Sequence, residues 1–333
     1  MKKVTIYDVA KEADVSLATV SRVLNKSAIV RPDKEKRVLE AIKKLNFRPN
    51  EIARGLARKR STTVGVIVPE ISRTSAAELL SGIFDTANMD MYKYSINLKT
   101  YTSNLEHFEE QWNSLISSQV DGILVMCDYL DEHTKTLIKS TNVPVVLFST
   151  ECDDKKIPSV SINFTQAVYD ATKHFTDKKY TDIVFLNRDA NVHTGFQTNG
   201  FEKALKDAGI SGDLSKNVHG AKKNYEADYA YFKEVLSKHK PQAVVSMSSA
   251  LAAAFMNAAQ DMGIKIPEDI EVISFSDDQT AQMLRPTLTS VTQQVYRIGV
   301  YAMRLLTKYM LNEEVDQPII EDSYEFIWRG STK

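Results

Sequence analysis

The chain reads as a small all-α head carrying a helix-turn-helix, followed by an α/β body of two lobes built on doubly wound parallel sheets. Three observations carry that reading. The first 45 residues hold three short stretches of helical periodicity. From Thr62 onward, β-branched runs alternate with helical stretches. Charge is also split: residues 1–60 hold 16 Lys and Arg against 7 Asp and Glu, a net of +9, while the remainder holds 26 against 36, a net of −10. At 333 residues the chain exceeds one ordinary compact core, so more than one domain is expected.

In the head, Ile6, Val9, Ala10 and Ala13 follow the i, i+3, i+4, i+7 spacing of an amphipathic helix, with Thr5 as N-cap. Asp14 and Val15 turn the chain into a second helix starting at Ser16, whose hydroxyl suits an N-cap. On this helix Val20, Val23 and Leu24 point inward. Leu17, Ala18, Thr19, Ser21, Arg22 and Asn25 are left facing out. Such a helix is slim enough for the DNA major groove. A third helix runs from Pro32 to about Leu45, with Val38, Ile42 and Leu45 on its inner face. Pro49 then breaks the chain, and Asn50 caps a short basic segment weakened by Gly55. A helix this short is marginal alone, so it folds only on a partner or against a second copy. Its basic residues suit phosphate, and Leu56 has the shape of a wedge between base steps. A plain basic linker would share the same composition.

In the body, expected strands fall at 62–69, 94–98, 122–126, 143–148, 159–162, 182–186, 243–246, 270–275 and 288–291. Helices are expected at 76–90, 105–118, 164–176, 196–208, 226–238, 250–262 and 294–311. The alternation predicts parallel sheets covered on both faces. No catalytic pattern emerges. The six histidines lack metal-ligand spacing, there is no nucleophile elbow or Gly-rich phosphate loop, and Asp277-Asp278 after a strand reads as a cap or loop. No enzyme and no cofactor are expected. Two cysteines, Cys127 and Cys152, make no disulfide framework. No apolar run approaches membrane-spanning length, and the start turns polar too soon for a secretion signal. A cytoplasmic protein without membrane association is expected. A secreted binding protein would leave the basic head unexplained.

The stretches Thr5-Ile6-Tyr7-Asp8-Val9-Ala10, Thr19-Val20-Ser21-Arg22-Val23-Leu24-Asn25 and Arg48-Pro49-Asn50 with Ala53-Arg54-Gly55-Leu56-Ala57 resemble the headpiece of the LacI/GalR family of bacterial transcription regulators. The resemblance implies a homodimer on a pseudo-palindromic double-stranded DNA operator, and a body like the two-lobed periplasmic binding proteins. It implies a headpiece over 1–60 with a hinge helix at 50–58. The core, 61–333, would divide into lobes 61–161 plus 291–323 and 162–290 plus 324–333. Base reading would fall to Leu17, Ala18 and Arg22. Phosphate-side contacts would fall to Thr5, Tyr7, Ser16, Thr19, Ser21 and Asn25, and hinge contacts to Asn50, Ala53, Arg54, Leu56 and Ala57. Phe47 stands where the family usually has tyrosine.

In the cleft the family's usual arginine and two acids are replaced by Gln197, Ser249 and Ser276, with Asp277 next to the last. Three charged hydroxyl-binding positions thus look neutral, and tight sugar binding is not expected. Gln119-Val120-Asp121-Gly122-Ile123, Arg285-Pro286 and Ala302-Met303-Arg304-Leu305-Leu306-Thr307-Lys308 resemble the members that govern carbon catabolism. Their implied corepressor is serine-phosphorylated HPr, at Tyr296, Arg297, Arg304 and Lys308. Arg304 and Lys308 lie one helical turn apart, and such a pair repels mildly unless an anion such as a phosphoserine sits between. A solvated basic face would look the same in sequence, and Arg297 replaces an acid the resemblance leads one to expect. The alternative is a repressor of a local operon answering to a sugar or sugar phosphate in the cleft.

A basic head that binds DNA neutralises phosphates and releases counterions. Operator affinity should therefore fall by two or more orders of magnitude between about 50 and 200 mM salt. Fluorescence anisotropy across a salt series measures it, and a flat response would remove the head as the DNA site.

Overall fold

The structure is a computed structural model that describes residues 4–25, 29–47, 61–69, 74–89, 93–101, 105–127, 130–187, 196–210, 218–220, 222 and 224–333. It forms two compact units, Met1–Thr62 and Thr63–Lys333.

The first unit is three helices: α1 (Ile6–Glu12), α2 (Leu17–Asn25) and α3 (Pro32–Lys44). At the start of α1 the backbone N–H of Thr5 donates to Asp8 Oδ2 at 2.7 Å. Asp14 takes a left-handed φ of 49°, and Val15 N–H returns to the Ala10 carbonyl at 3.1 Å, turning the chain toward α2. The Ser16 hydroxyl accepts from Thr19 N–H at 3.2 Å. Val9, Ala10, Ala13, Val20, Val38, Ala41 and Phe47 close the small core, with Val23, Leu24, Ile42 and Leu45 packed against it. Phe47 is thus a core residue.

The second unit holds two six-stranded sheets. The first lobe is ordered β11-β5-β4-β3-β1-β2, using β1 (Thr63–Pro69), β2 (Ser95–Tyr101), β3 (Gly122–Val125), β4 (Val145–Phe148), β5 (Ser159–Ile162) and β11 (Ile319–Asp322), all parallel. The second lobe is ordered β12-β10-β9-β8-β6-β7. Its strands are β6 (Ile183–Asn187), β7 (Val218–Gly220), β8 (Ala243–Ser246), β9 (Glu271–Ser274), β10 (Thr289–Gln293) and β12 (Tyr324–Ile327). Only β12 pairs antiparallel among the described strands. Helices cover the sheets: α4 (Thr74–Ala87), α5 (Leu105–Ser117), α6 (Glu132–Ser140), α7 (Phe164–Asp177), α8 (Phe196–Asp207), α9 (Tyr225–Lys238), α10 (Ser249–Asp261), α11 (Gln279–Met283) and α12 (Val295–Met310).

Each expected strand and helix that falls on the described residues is present, within a few residues at its ends; the expected hinge helix at 50–58 lies outside them. Three strands and two helices were not expected. β7 has three residues, too few for a period. β11 and β12 are half-exposed sheet edges with charges among their apolar residues. α6 is largely polar and buries Thr134, Lys135 and Ile138. Lys135 is held between Glu132 at 2.8 Å and Asp153 at 2.7 Å, which is why a lysine tolerates that position. α11 spans five residues.

The chain passes between the lobes at three single residues. Asn163 separates β5 from α7, which packs on α8 and β8 of the second lobe. Gln294 separates β10 from α12, which packs on α4 and on β3, β4 and β5 of the first. Ser323 separates β11 from β12. α12 and α4 meet backbone to backbone. A Cβ on Gly299 would lie 2.2 Å from the Leu79 carbonyl oxygen, and one on Gly82 would lie 2.2 Å from that of Tyr296.

Those two backbones cannot yield without the helices parting. Gly299→Ala should therefore destabilise the core by roughly 1–3 kcal/mol despite alanine's better helix propensity. Denaturant unfolding checks it, and an unchanged midpoint would mean that the helices separate freely.

Candidate nucleic-acid interface and effector surfaces

The face of α2 sorts as the spacing predicts. Val20 is fully buried, while Ala18 and Arg22 are exposed and Leu17 is 37% exposed. Thr19 and Ser21 are half-buried at the edge of that face. The Ser16 and Thr19 hydroxyls share one hydrogen bond at 2.9 Å, which leaves one hydroxyl hydrogen for an outside acceptor such as a phosphate oxygen. Tyr7 on α1 is 69% exposed. Thr5 differs from expectation in one respect: its hydroxyl donates to Asp8 Oδ2 at 2.7 Å, so it reaches a phosphate only by leaving that carboxylate. Three nearby cations are engaged within the head: Lys44 with Glu12 at 2.6 Å, Arg37 with Asp14 at 3.6 Å and Arg31 with Asp33 at 3.4 Å. Arg22 has no such pair among the described residues. Asn25 ends α2, but its side chain lies outside the described residues, as do Asn50, Ala53, Arg54, Leu56, Ala57 and the whole of 50–58.

On the core, the expected partner surface maps to α12. Val295, Ile298, Ala302, Met303, Leu305, Leu306 and Met310 are buried, so the helix has one outward strip. Arg304 and Lys308 lie on it, both exposed and without an ion-pair partner among the described residues. Tyr296 is exposed at the N-terminal end and donates to Asp85 of α4 at 3.1 Å. That bond, with a smaller contribution from burial, raises its hydroxyl pKa above the ordinary tyrosine value. Arg297 is engaged elsewhere. Its Nε donates to Asp322 Oδ2 at 2.8 Å, and its terminal nitrogen to Asp322 Oδ1 at 2.5 Å and to the Ser323 hydroxyl at 3.3 Å.

The cleft positions follow the carboxyl ends of β8 and β9, where ligands of such sheets bind. Ser249 and Ser276 come together on one carboxylate: their hydroxyls donate to Asp278 Oδ2 at 2.6 and 3.3 Å. Asp278 also caps α11, accepting from Ala281 N–H at 3.2 Å. Gln197, Ser249 and Ser276 are themselves neutral, and a carboxylate stands beside the two serines. The acid is displaced two residues along the chain from Ser276, where only the capping pattern of Asp278 ahead of a short helix signalled it. Asp277 pairs with Arg329 at 2.6 Å in a mostly buried contact, a partner that nothing in the local sequence pointed to. Gln197 is half-buried near the start of α8.

Among the described residues, no cluster of three or more His, Cys, Asp or Glu is arranged to hold a metal. No helix among the described residues is long and apolar enough to cross a membrane. His133 and His239 each meet one acid, Glu109 and Asp182.

Residues 5–50 match the model for bacterial regulatory proteins of the lacI family, and 172–332 match that for a periplasmic binding protein-like domain. The chain is 40% identical over 331 residues to catabolite control protein A of Staphylococcus epidermidis, covering 99% of both. It resembles the crystal structure of the transcription regulator CcpA of Lactococcus lactis with a TM-score of 0.71 and 37% identity, over 81% of this chain and 99% of that one. It shares the fold of the Lac repressor dimer bound to operator and the anti-inducer ONPF, with a TM-score of 0.88 at 22% identity and 99% coverage of both. The chain belongs to the lacI family of bacterial regulatory proteins and is, with them, a DNA-binding regulator of transcription.

Proposed function

We propose that the chain binds a pseudo-palindromic operator as a homodimer in the cytoplasm, controls carbon-source genes, and takes serine-phosphorylated HPr as corepressor. The observation that carries the corepressor reading is the outward strip of α12. Arg304 and Lys308 stand exposed one turn apart with no acid of the described chain between them. A phosphoserine supplies both charge and acceptors for such a pair. Tyr296 completes the surface. Arg297 belongs to the same helix, but its bond to Asp322 would have to open before it met a partner. Full-length identity to catabolite control proteins A supports the reading.

On DNA, Leu17, Ala18 and Arg22 read base edges, Thr5, Tyr7, Ser16, Thr19, Ser21 and Asn25 hold the phosphate side, and Asn50, Ala53, Arg54, Leu56 and Ala57 form the hinge contact. In this mechanism the angle between the lobes sets the spacing of the two hinge segments. Only the right spacing lets them fold in the minor groove and seats two recognition helices one turn of DNA apart. The coupling between corepressor and operator is about 1–3 kcal/mol. A second reading, a sugar or sugar phosphate in the cleft, is favoured by one observation: Asp278 gathers Ser249 and Ser276 into a charged, hydroxyl-rich group at the strand ends.

The deciding experiment is an operator titration with serine-phosphorylated HPr beside a panel of sugar phosphates. Affinity should rise about 5- to 150-fold with phospho-HPr, and Arg304→Glu should lose that rise. No response in the wild-type chain ends the corepressor reading, and a response to a sugar phosphate installs the second. On the DNA side, Arg22→Ala should cost about 1–3 kcal/mol and relax preference at one base position of each half-site. Leu56→Ala should weaken the operator complex, and unchanged binding would remove the wedge.

A further inference from the structure

The three lobe crossings are single residues, and two of them are tied together by one side chain. Arg297 lies in the first turn of α12, three residues beyond the Gln294 crossing. Its guanidinium grips Asp322, the residue before the Ser323 crossing, through two donors at 2.8 and 2.5 Å, and reaches the Ser323 hydroxyl itself at 3.3 Å. Asp322 also accepts from Ser323 N–H at 2.8 Å and is 9% exposed in its side chain. The fork geometry fixes orientation as well as distance, which a single-point contact would not. The Asn163 crossing is joined to the same strand end less firmly, through its amide to Glu321 at 3.5 Å. Beyond the crossings, Tyr324 donates to Asp170 of α7 at 2.6 Å, and Glu151 of the first lobe accepts from Thr165 N–H and hydroxyl at 3.0 Å each.

We infer that Arg297 is a positioning residue of the lobe hinge, a strut that makes α12 and the Ser323 crossing move as one body. Both ends of the strut belong to the first lobe, so it does not lock the lobes together. It fixes the separation of two of the three points about which they turn. α12 is already seated on α4 by glycine-mediated backbone contact, so a load on its outer strip has little freedom to dissipate within the first lobe. Through Arg297 that load reaches the crossing directly. The inference adds to the proposed corepressor surface and stands without it, since the strut needs no partner.

The test is hydrogen exchange on the full chain with no partner present, followed over 291–298 and 319–327. Arg297→Gln and Asp322→Asn should each raise exchange there about three- to tenfold, as loss of a charge-assisted bidentate pair with one half-exposed member implies. The double variant should add little to either single one, because the two residues act as a unit. The exchanged pair, Arg297→Asp with Asp322→Arg, should recover much of the protection. Unchanged exchange in Arg297→Gln, or an effect of that variant that Asp322→Asn does not share, overturns the strut. In a second arm, serine-phosphorylated HPr is titrated onto the chain alone. If Arg297→Gln weakens that binding while Asp322→Asn does not, Arg297 is a partner contact and the strut is wrong. If the wild-type chain binds no HPr, the corepressor reading falls and the exchange result still decides the strut.

Discussion

The regulatory core depends on the seating of α12. Gly82 and Gly299 bring two helix backbones to a distance that no side chain would permit, and the apolar face of α12 then closes over three strands of the first lobe. That packing has two consequences. It leaves only a narrow strip of the helix for solvent, so the chemistry displayed there is a handful of residues. It also makes the helix a rigid extension of the first lobe, because interiors packed this closely shift as units. A charged strip on a rigid helix that begins one residue after a lobe crossing is well placed to turn a surface contact into a change of lobe angle.

Charge separation along the chain follows the same division of labour. The head is basic and the core acidic, so a polyanion is drawn to one unit and repelled by the other. Within the head, however, Lys44, Arg37 and Arg31 are paired with acids of the head itself. These exposed pairs hold little folding energy. Their effect is to reduce the number of cations that release counterions on DNA, so a count of charges overstates the phosphate contacts. Arg22, on the outer face of α2, remains available.

The fold was legible wherever a period repeated long enough. The helices of the head and all the central strands follow from apolar spacing, because those elements are buried on one face or on both. The misses are elements that packing, not patterning, creates. β11 and β12 exist because each lobe has a free sheet edge that a returning chain can cover, and their half-exposed positions carry Glu and Asp as readily as Ile. The outward face of α2 was legible for the same reason as its core face, since one is the complement of the other. The cleft was less so. Ser249 and Ser276 read as losses of charge, yet Asp278 restores a carboxylate between them from two residues further on. Sequence position gives the strand end, but the loop decides which side chain returns to it.

Arg297 shows the limit of reading a surface from a helical wheel. Its place on α12 beside Arg304 and Lys308 makes it look like a third cation for an anionic partner. Asp322, 25 residues downstream, comes within reach only because β11 returns to the edge of the first sheet and ends at the Ser323 crossing, beside the first turn of α12. The same topology gives the pair its leverage. An ion pair on the flank of a lobe would tie one element to its neighbour. Placed between two single-residue crossings, it constrains the axis about which both lobes turn. A cation that reads in sequence as one more member of the outward strip is therefore, in this chain, engaged in the geometry of the lobe crossings.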